Sequence, residues 1–196
     1  NTINQNNSLL NSKKWFILYV SFLKQLLPFA KIYVFNDEVI LRVHPSLLYN
    51  SMVFLSKNQL LNFKVLADIC GIDYPDKKNR FEVVYNLLSL TTNYRLTVTT
   101  SVKEGFSIDS ITSIFENANW LEREVWDMYG VFFTKHPDMR RILTDYGFKG
   151  HPLRKDFPLT GFVEVHYDDF NKKITYTPVS LAQDYRVFYF NNDWAF

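Results

Sequence analysis

The chain has 196 residues, a formal net charge of +2 and 47% hydrophobic residues, which suits one domain with a tail and is too apolar for a disordered protein. The near balance of charge gives no global attraction to nucleic acid or anionic lipid. The single cysteine excludes an internal disulfide and a four-thiolate iron–sulfur cluster built from this chain, and no segment reaches the roughly 20 consecutive apolar residues that cross a bilayer as a helix.

Residues 1–12 are polar and Asn-rich, without a period, and read as a flexible N-terminal tail. From Lys13 to Leu27 apolar residues recur at three- and four-residue spacing up to Pro28, which predicts a helix ending there. Two β-rich runs, KIYVF and VILRV, flank Asn36–Asp37 and predict a hairpin whose turn lacks glycine. Ser46 is expected to cap a helix running through Ser56. Cys70, in the apolar run from Val65 to Ile72, is expected to be a buried structural thiol in a reducing compartment. The runs RFEVVYNLLSL and YRLTVTTSV, separated by Thr91–Asn93, predict two further antiparallel strands. After Asp109, apolar residues at 111, 114, 115, 118, 121, 125, 128 and 129 follow the helical period up to Gly130, with a break expected over Asn117–Asn119. Residues 13–133 therefore read as an α+β domain, a mixed β-sheet with helices packed on one face.

Beyond Phe133 the pattern changes. Prolines at 137, 152, 158 and 178 remove N–H donors and fix φ, and with glycines at 147, 150 and 161 they exclude long regular elements. Disorder fits badly, because Leu143, Tyr146, Phe148, Leu153, Phe157, Phe162, Tyr167, Tyr185 and Trp194 make the stretch aromatic-rich. Residues 134–196 are thus predicted to be a long extended C-terminal arm, ordered by lying on a partner.

Candidate chemistry is sparse. His136, His151 and His166 are too far apart in sequence for ligands on one element, so hydrogen-bonding or surface roles are expected. Glu122, Glu124 and Asp127 cluster on the predicted helix, where Arg123 pairs with Asp127 at i, i+4; structural pairing outweighs acid–base chemistry. Between Lys135 and Asp156 six basic residues (135, 140, 141, 149, 154, 155) meet three acidic ones (138, 145, 156). With aromatics nearby, that suits RNA binding weakly and arginine–carboxylate contacts across a protein interface better. No dinucleotide, phosphate-loop, paired-cysteine, zinc-protease or nucleophile-elbow motif occurs, so no active site of its own, and no metal or cofactor bound by this chain, is expected.

At EREVWDMYGVFFTKHPDMRRIL, Glu122 to Leu143, the chain resembles the 30 kDa-type subunits of proton-pumping NADH:ubiquinone oxidoreductase, respiratory complex I. Glu122, Arg123, Glu124, Asp127, Met128, Tyr129, His136, Arg140, Ile142 and Leu143 fill that family's signature. The likeness runs from about residue 14 to the end, through TDYGFKGHPLRKDFPLTGFVEVHYDD. The closing PVSLAQDYRVF favours the mitochondrial form. Lys135 and Met139 depart from a frequent glycine and leucine.

The resemblance implies a non-catalytic structural and assembly subunit of the peripheral arm, on the matrix side of the mitochondrial inner membrane. Its partner would be the 49 kDa-type quinone-site subunit, in a complex carrying FMN, iron–sulfur clusters and ubiquinone. The partner interface it implies comprises Glu122, Arg123, Glu124, Asp127, His136, Asp138, Arg140, Arg141, Asp145, Tyr146, His151, Arg154, Lys155, Asp156 and Phe157. Codon-biased usage, with 18 Phe and 12 Tyr against 6 Gly, points to an A/T-rich organellar genome. The rival readings are a subunit of a related plastid dehydrogenase or membrane-bound hydrogenase, an organellar RNA-binding protein, and an autonomous oxidoreductase.

Overall fold

The computed structural model describes residues 16–36, 38–186 and 188; the predicted tail 1–12, the helix start at Lys13, the turn residue Asp37 and Trp194 lie outside them. The chain divides into two compact units, residues 1–156 and 157–196.

In the first unit, helix α1 covers 16–26 and stops before Pro28, as the fixed proline φ requires. Strands β1 (Lys31–Phe35) and β2 (Glu38–Arg42) form the predicted antiparallel hairpin. Asn36 takes φ 47° and so supplies the left-handed conformation a glycine would otherwise provide. Ser46 does not cap a helix. A 3-10 turn, Pro45–Leu47, comes first, with the His44 ring accepting from the Ser46 N–H at 3.4 Å; helix α2 (Leu48–Lys57) then starts behind Leu47 without a side-chain cap. Pro45 is the reason, since its preset φ starts a helical turn at that point.

The apolar run from Val65 forms β3 (Val65–Asp73), followed by β4 (Phe81–Ser89) and β5 (Tyr94–Val102). The five strands are ordered β1-β2-β5-β4-β3, with only β2 and β5 parallel, so the sheet is mixed. Alternation places Phe81, Val83, Tyr85 and Leu87 on one buried face with Leu96, Val98, Val39 and Leu41. Burying each such side chain stabilises by roughly 1.5–3 kcal/mol. Helices α1 and α3 cover this face: Tyr19 stacks on Tyr94 at 4.2 Å, and the Tyr129 ring lies against Gly71, where any Cβ would collide with it. The other face is more polar and carries Arg42, whose guanidinium bonds Glu82 (3.3 Å) and Ser101 (3.0 Å).

Cys70 is exposed rather than buried. A bulge between Leu66 and Asp68 keeps Leu66, Ile69 and Asp73 on the core side and turns Cys70 to the other face.

The predicted long helix after Asp109 is shorter than its period implies. Residues 110–117 form turns, and α3 runs from Ala118 to Tyr129, ending at Gly130 with φ 79°. The Ser110 hydroxyl and Ile111 N–H are engaged by Glu122 from within α3, a tertiary contact that overrides the local pattern. Two short parallel strands flank it, β6 (Ser107–Asp109) and β7 (Phe132–Thr134).

The second unit holds an antiparallel hairpin, β8 (Val163–Asp168) and β9 (Lys173–Pro178), where the proline and glycine pattern predicts no long element. Pro158 lies before it and Pro178 is its last residue, so neither breaks the ladder. The register sets Val163, Val165 and Tyr167 on one face with Ile174, Tyr176 and Pro178. Glu164, His166 and Asp168 share the other face with Lys173, Thr175 and Thr177.

Candidate partner-binding site

Helix α3 brings the signature acids to the centre of the first unit. Asp127, with no exposed surface, accepts five hydrogen bonds. Its Oδ2 takes the N–H groups of Ile142, Leu143 and Thr144 at 3.2, 2.9 and 3.0 Å. Its Oδ1 takes the Thr144 hydroxyl at 2.7 Å and the Arg141 guanidinium at 2.9 Å. Burial would push this carboxyl up, but the bonds from Leu143, Thr144 and Ile142 outweigh it and hold it below the usual carboxylate range. The predicted Arg123–Asp127 pair is not formed: Arg123 donates instead to the Arg140 carbonyl at 3.1 Å and lies over the Trp120 ring at 4.9 Å. Arg141 has displaced it because Asp127 points toward the following segment rather than along the helix surface.

Glu122 is also fully buried. It accepts from the Ser110 hydroxyl at 2.6 Å and the Ile111 N–H at 2.8 Å. Burial pushes its carboxyl up to about 7 against the opposing pull of those two bonds. His136 Nε2 lies 4.0 Å from it. The Asp138 N–H points at His136 Nδ1 (3.1 Å), which leaves Nε2 to carry the proton and donate to the Asn119 carbonyl (3.1 Å). Glu124, by contrast, is exposed.

The end of α3 is closed from far along the chain. An α-helix leaves its last carbonyls unpaired, and here residues 151–154 supply the donors. His151 Nδ1 donates to the Asp127 carbonyl (3.0 Å), the Leu153 N–H to Met128 (3.1 Å) and Arg154 Nε to Tyr129 (2.6 Å). Gly130 makes this possible, since a Cβ there would meet the His151 ring at 2.7 Å and the Arg154 guanidinium. Burial pushes the His151 ring pKa down, which keeps it neutral.

An ion network fixes the next residues. Arg80 binds Asp73 through two bonds (2.8 and 3.0 Å) and Asp156 at 3.0 Å. The Lys155 N–H donates to Asp73 at 2.8 Å, and Arg154 reaches Glu104 at 2.7 Å while lying over Phe81. Asp73, Arg80, Glu104 and Ser110 were not among the residues singled out from sequence, and no local signal marks them: Asp73 and Lys155 are 82 positions apart.

The remaining residues face outward. Arg140 and Asp138 pair at 2.9 Å on the surface. Asp145 is exposed, and Tyr146 is 98% exposed with Leu143 and Leu153 exposed nearby. Phe157 belongs to the second unit, its ring edge-on to Phe162 at 5.3 Å. The structure thus brings Glu122, Arg123, Asp127, His136, Arg141, His151, Arg154, Lys155 and Asp156 into intramolecular contacts around α3. It leaves Glu124, Asp138, Arg140, Asp145 and Tyr146 on the surface.

Among the described residues no group of three or more His, Cys, Asp or Glu is placed to hold a metal, and the single cysteine cannot supply the thiolates of a cluster. Among the described residues no helix is long and apolar enough to cross a membrane.

Residues 41–163 match the family model of the respiratory-chain NADH dehydrogenase, 30 Kd subunit. The chain is 52% identical over 159 residues to the NADH-ubiquinone oxidoreductase subunit 9 of Reclinomonas americana, covering 81% of this chain and 78% of that one. It is 55% identical over 147 residues to the NADH dehydrogenase (ubiquinone) iron-sulfur protein 3 of Beta trigyna, covering 75% of this chain and 77% of that one. Among solved structures it is similar to the trypsin-resistant fragment (1-134) of Nqo5, with TM-score 0.54 and 30% identity over 62% of this chain and 98% of that one.

Proposed function

From the fact that the chain belongs to the family of the 30 kDa subunit of respiratory-chain NADH dehydrogenase, and is therefore a subunit of an oxidoreductase complex, we infer that its own role is structural. It has no active site and binds no cofactor. It supports electron transfer from NADH to ubiquinone by clamping the 49 kDa-type quinone-site subunit, while FMN, iron–sulfur clusters and ubiquinone sit elsewhere in the complex. It works on the matrix side of the mitochondrial inner membrane as a peripheral component, and its residue usage fits a gene in the mitochondrial genome.

The observation that carries this reading is the division of labour around α3. The buried side chains of Glu122 and Asp127 are used up inside the chain, while Arg140, Leu143 and Tyr146 point outward from the segment that Asp127 holds. A carboxylate such as Asp127, held below the usual range by three backbone N–H groups, shapes a surface and is a poor proton acceptor. Residues 13–133 then act as the body and 134–196 as the partner-binding arm, of which the portion to residue 156 is fastened to the body. The name of the Nqo5 fragment, which resists trypsin as residues 1-134, agrees with a body that stands without the rest. The exposed apolar face of the β8–β9 hairpin supplies further buried area, since two strands alone are marginally stable in water.

The test is the Arg140→Ala variant, scored by the amount of assembled complex and by its specific activity. Reduced assembly with unchanged activity of what assembles is the expected result. Full assembly with lost quinone reduction would move this residue into the chemistry and overturn the reading.

A further inference from the structure

Residues 138–156 cross the body without contributing a single residue to its buried hydrophobic core, which ends in the sequence at Phe133. Met139 alone packs partly against it. Their attachment is mainly polar instead, and its first part centres on one residue. The Asp127 side chain holds 141–144, while the Asp127 carbonyl holds His151. Arg141 ties the same two parts together, lying over Trp126 at 5.6 Å and over Phe148 at 5.8 Å. The far end is fastened through Leu153, Arg154 and Lys155 to Met128, Tyr129 and Asp73.

We propose that residues 138–156 are a strap that opens and closes on the body as one unit, with the Asp127 carboxylate as its catch, and that only the closed strap presents Leu143 and Tyr146 as a fixed docking surface. The first half of this statement stands on the intramolecular contacts alone; the second rests on the partner-binding role proposed above. The physical basis is that a segment with little buried apolar area has only a small hydrophobic term to hold it, so its ordering depends largely on a few hydrogen bonds made together. Arg141, bonded to the Asp127 carboxylate and lying over Phe148, couples the two halves.

Hydrogen exchange on the full chain tests the unit directly. In the wild-type chain the amides of residues 142–144, 153 and 155 should share one opening free energy, lower than that of the β4 and β5 amides, and in Asp127→Asn they should exchange at least about tenfold faster by a common factor. Thr144→Val, which removes one of the five bonds, should give the same pattern at roughly threefold and serves if the first variant does not fold. Acceleration confined to 142–144, or wild-type protection of the strap amides equal to that of β4 and β5, would overturn the strap. The docking half is read separately, from incorporation of a Leu143→Ala/Tyr146→Ala variant into the assembled complex. Loss of incorporation with a wild-type exchange pattern supports it, and incorporation equal to wild type refutes it. Wild-type chain absent from the complex would instead sink the partner-binding reading itself and leave the strap standing.

Discussion

Arg154 donates its Nε–H to the carbonyl of Tyr129 at 2.6 Å and so finishes helix α3 from 25 residues downstream. The helix end and residues 151–154 are therefore held together, although between β7 and Arg154 the chain makes no regular element.

Gly130→Ala should destabilise the chain by roughly 2 kcal/mol or more. The left-handed φ of 79° costs a residue with a Cβ about 1–2 kcal/mol, and the new methyl group displaces His151 and Arg154 from the carbonyls they satisfy. Urea unfolding of the variant and of wild type gives the difference; equal midpoints would mean the helix end is not held as described.

Asp127→Asn should cost about 3 kcal/mol, because the amide turns a donor toward backbone N–H groups that need an acceptor. The folded pKa of Asp127 is depressed, so its contribution is present above the ordinary carboxylate value and lost as pH falls through the folded pKa. Acid unfolding of wild type should therefore start at higher stability than that of the variant and converge with it at low pH. Parallel curves down to the lowest pH would contradict this.

Glu122 has the opposite sign. Its folded pKa of about 7 lies above the ordinary 4.5, so the stability it lends is full below about 4.5 and declines until about pH 7, by on the order of 3 kcal/mol. Above that it is flat. Glu122→Gln, neutral at every pH, should remove the decline; unfolding free energies at a series of pH values between 4.5 and 8 decide it.

Cys70, though exposed, should alkylate slowly at neutral pH. Burial of its sulfur and the nearby Asp68 carboxylate, which accepts from the thiol at 2.8 Å, raise its pKa to about 11, and only the thiolate reacts. Asp68→Asn should speed the reaction with iodoacetamide. An unchanged rate would leave desolvation as the whole cause.

Much of the α+β body is legible in residue order, because β4 and β5 alternate cleanly and Pro28 ends α1 where proline must. The failures have physical causes. Cys70 sits in an apolar run, yet one bulge at Leu66–Asp68 reverses the face it shows. Residues 110–117 follow a helical period, yet the Glu122 carboxylate holds Ser110 and Ile111 in another geometry. The β8–β9 ribbon was hidden by prolines that lie outside its ladder or at its end. The site divides in the same way: Glu122, Asp127, His151 and Arg154 stand out by residue type, but Asp73, Arg80 and Glu104 become visible only when the sheet brings them to the strap.

The central claim is that this chain works inside respiratory complex I as a structural subunit. Native-gel separation of mitochondrial membranes solubilised in mild detergent, followed by mass spectrometry of the band that contains the chain, tests it most directly. Co-migration with flavin, iron–sulfur and quinone-site subunits in one very large assembly is the predicted result, and a small free species lacking them would contradict it.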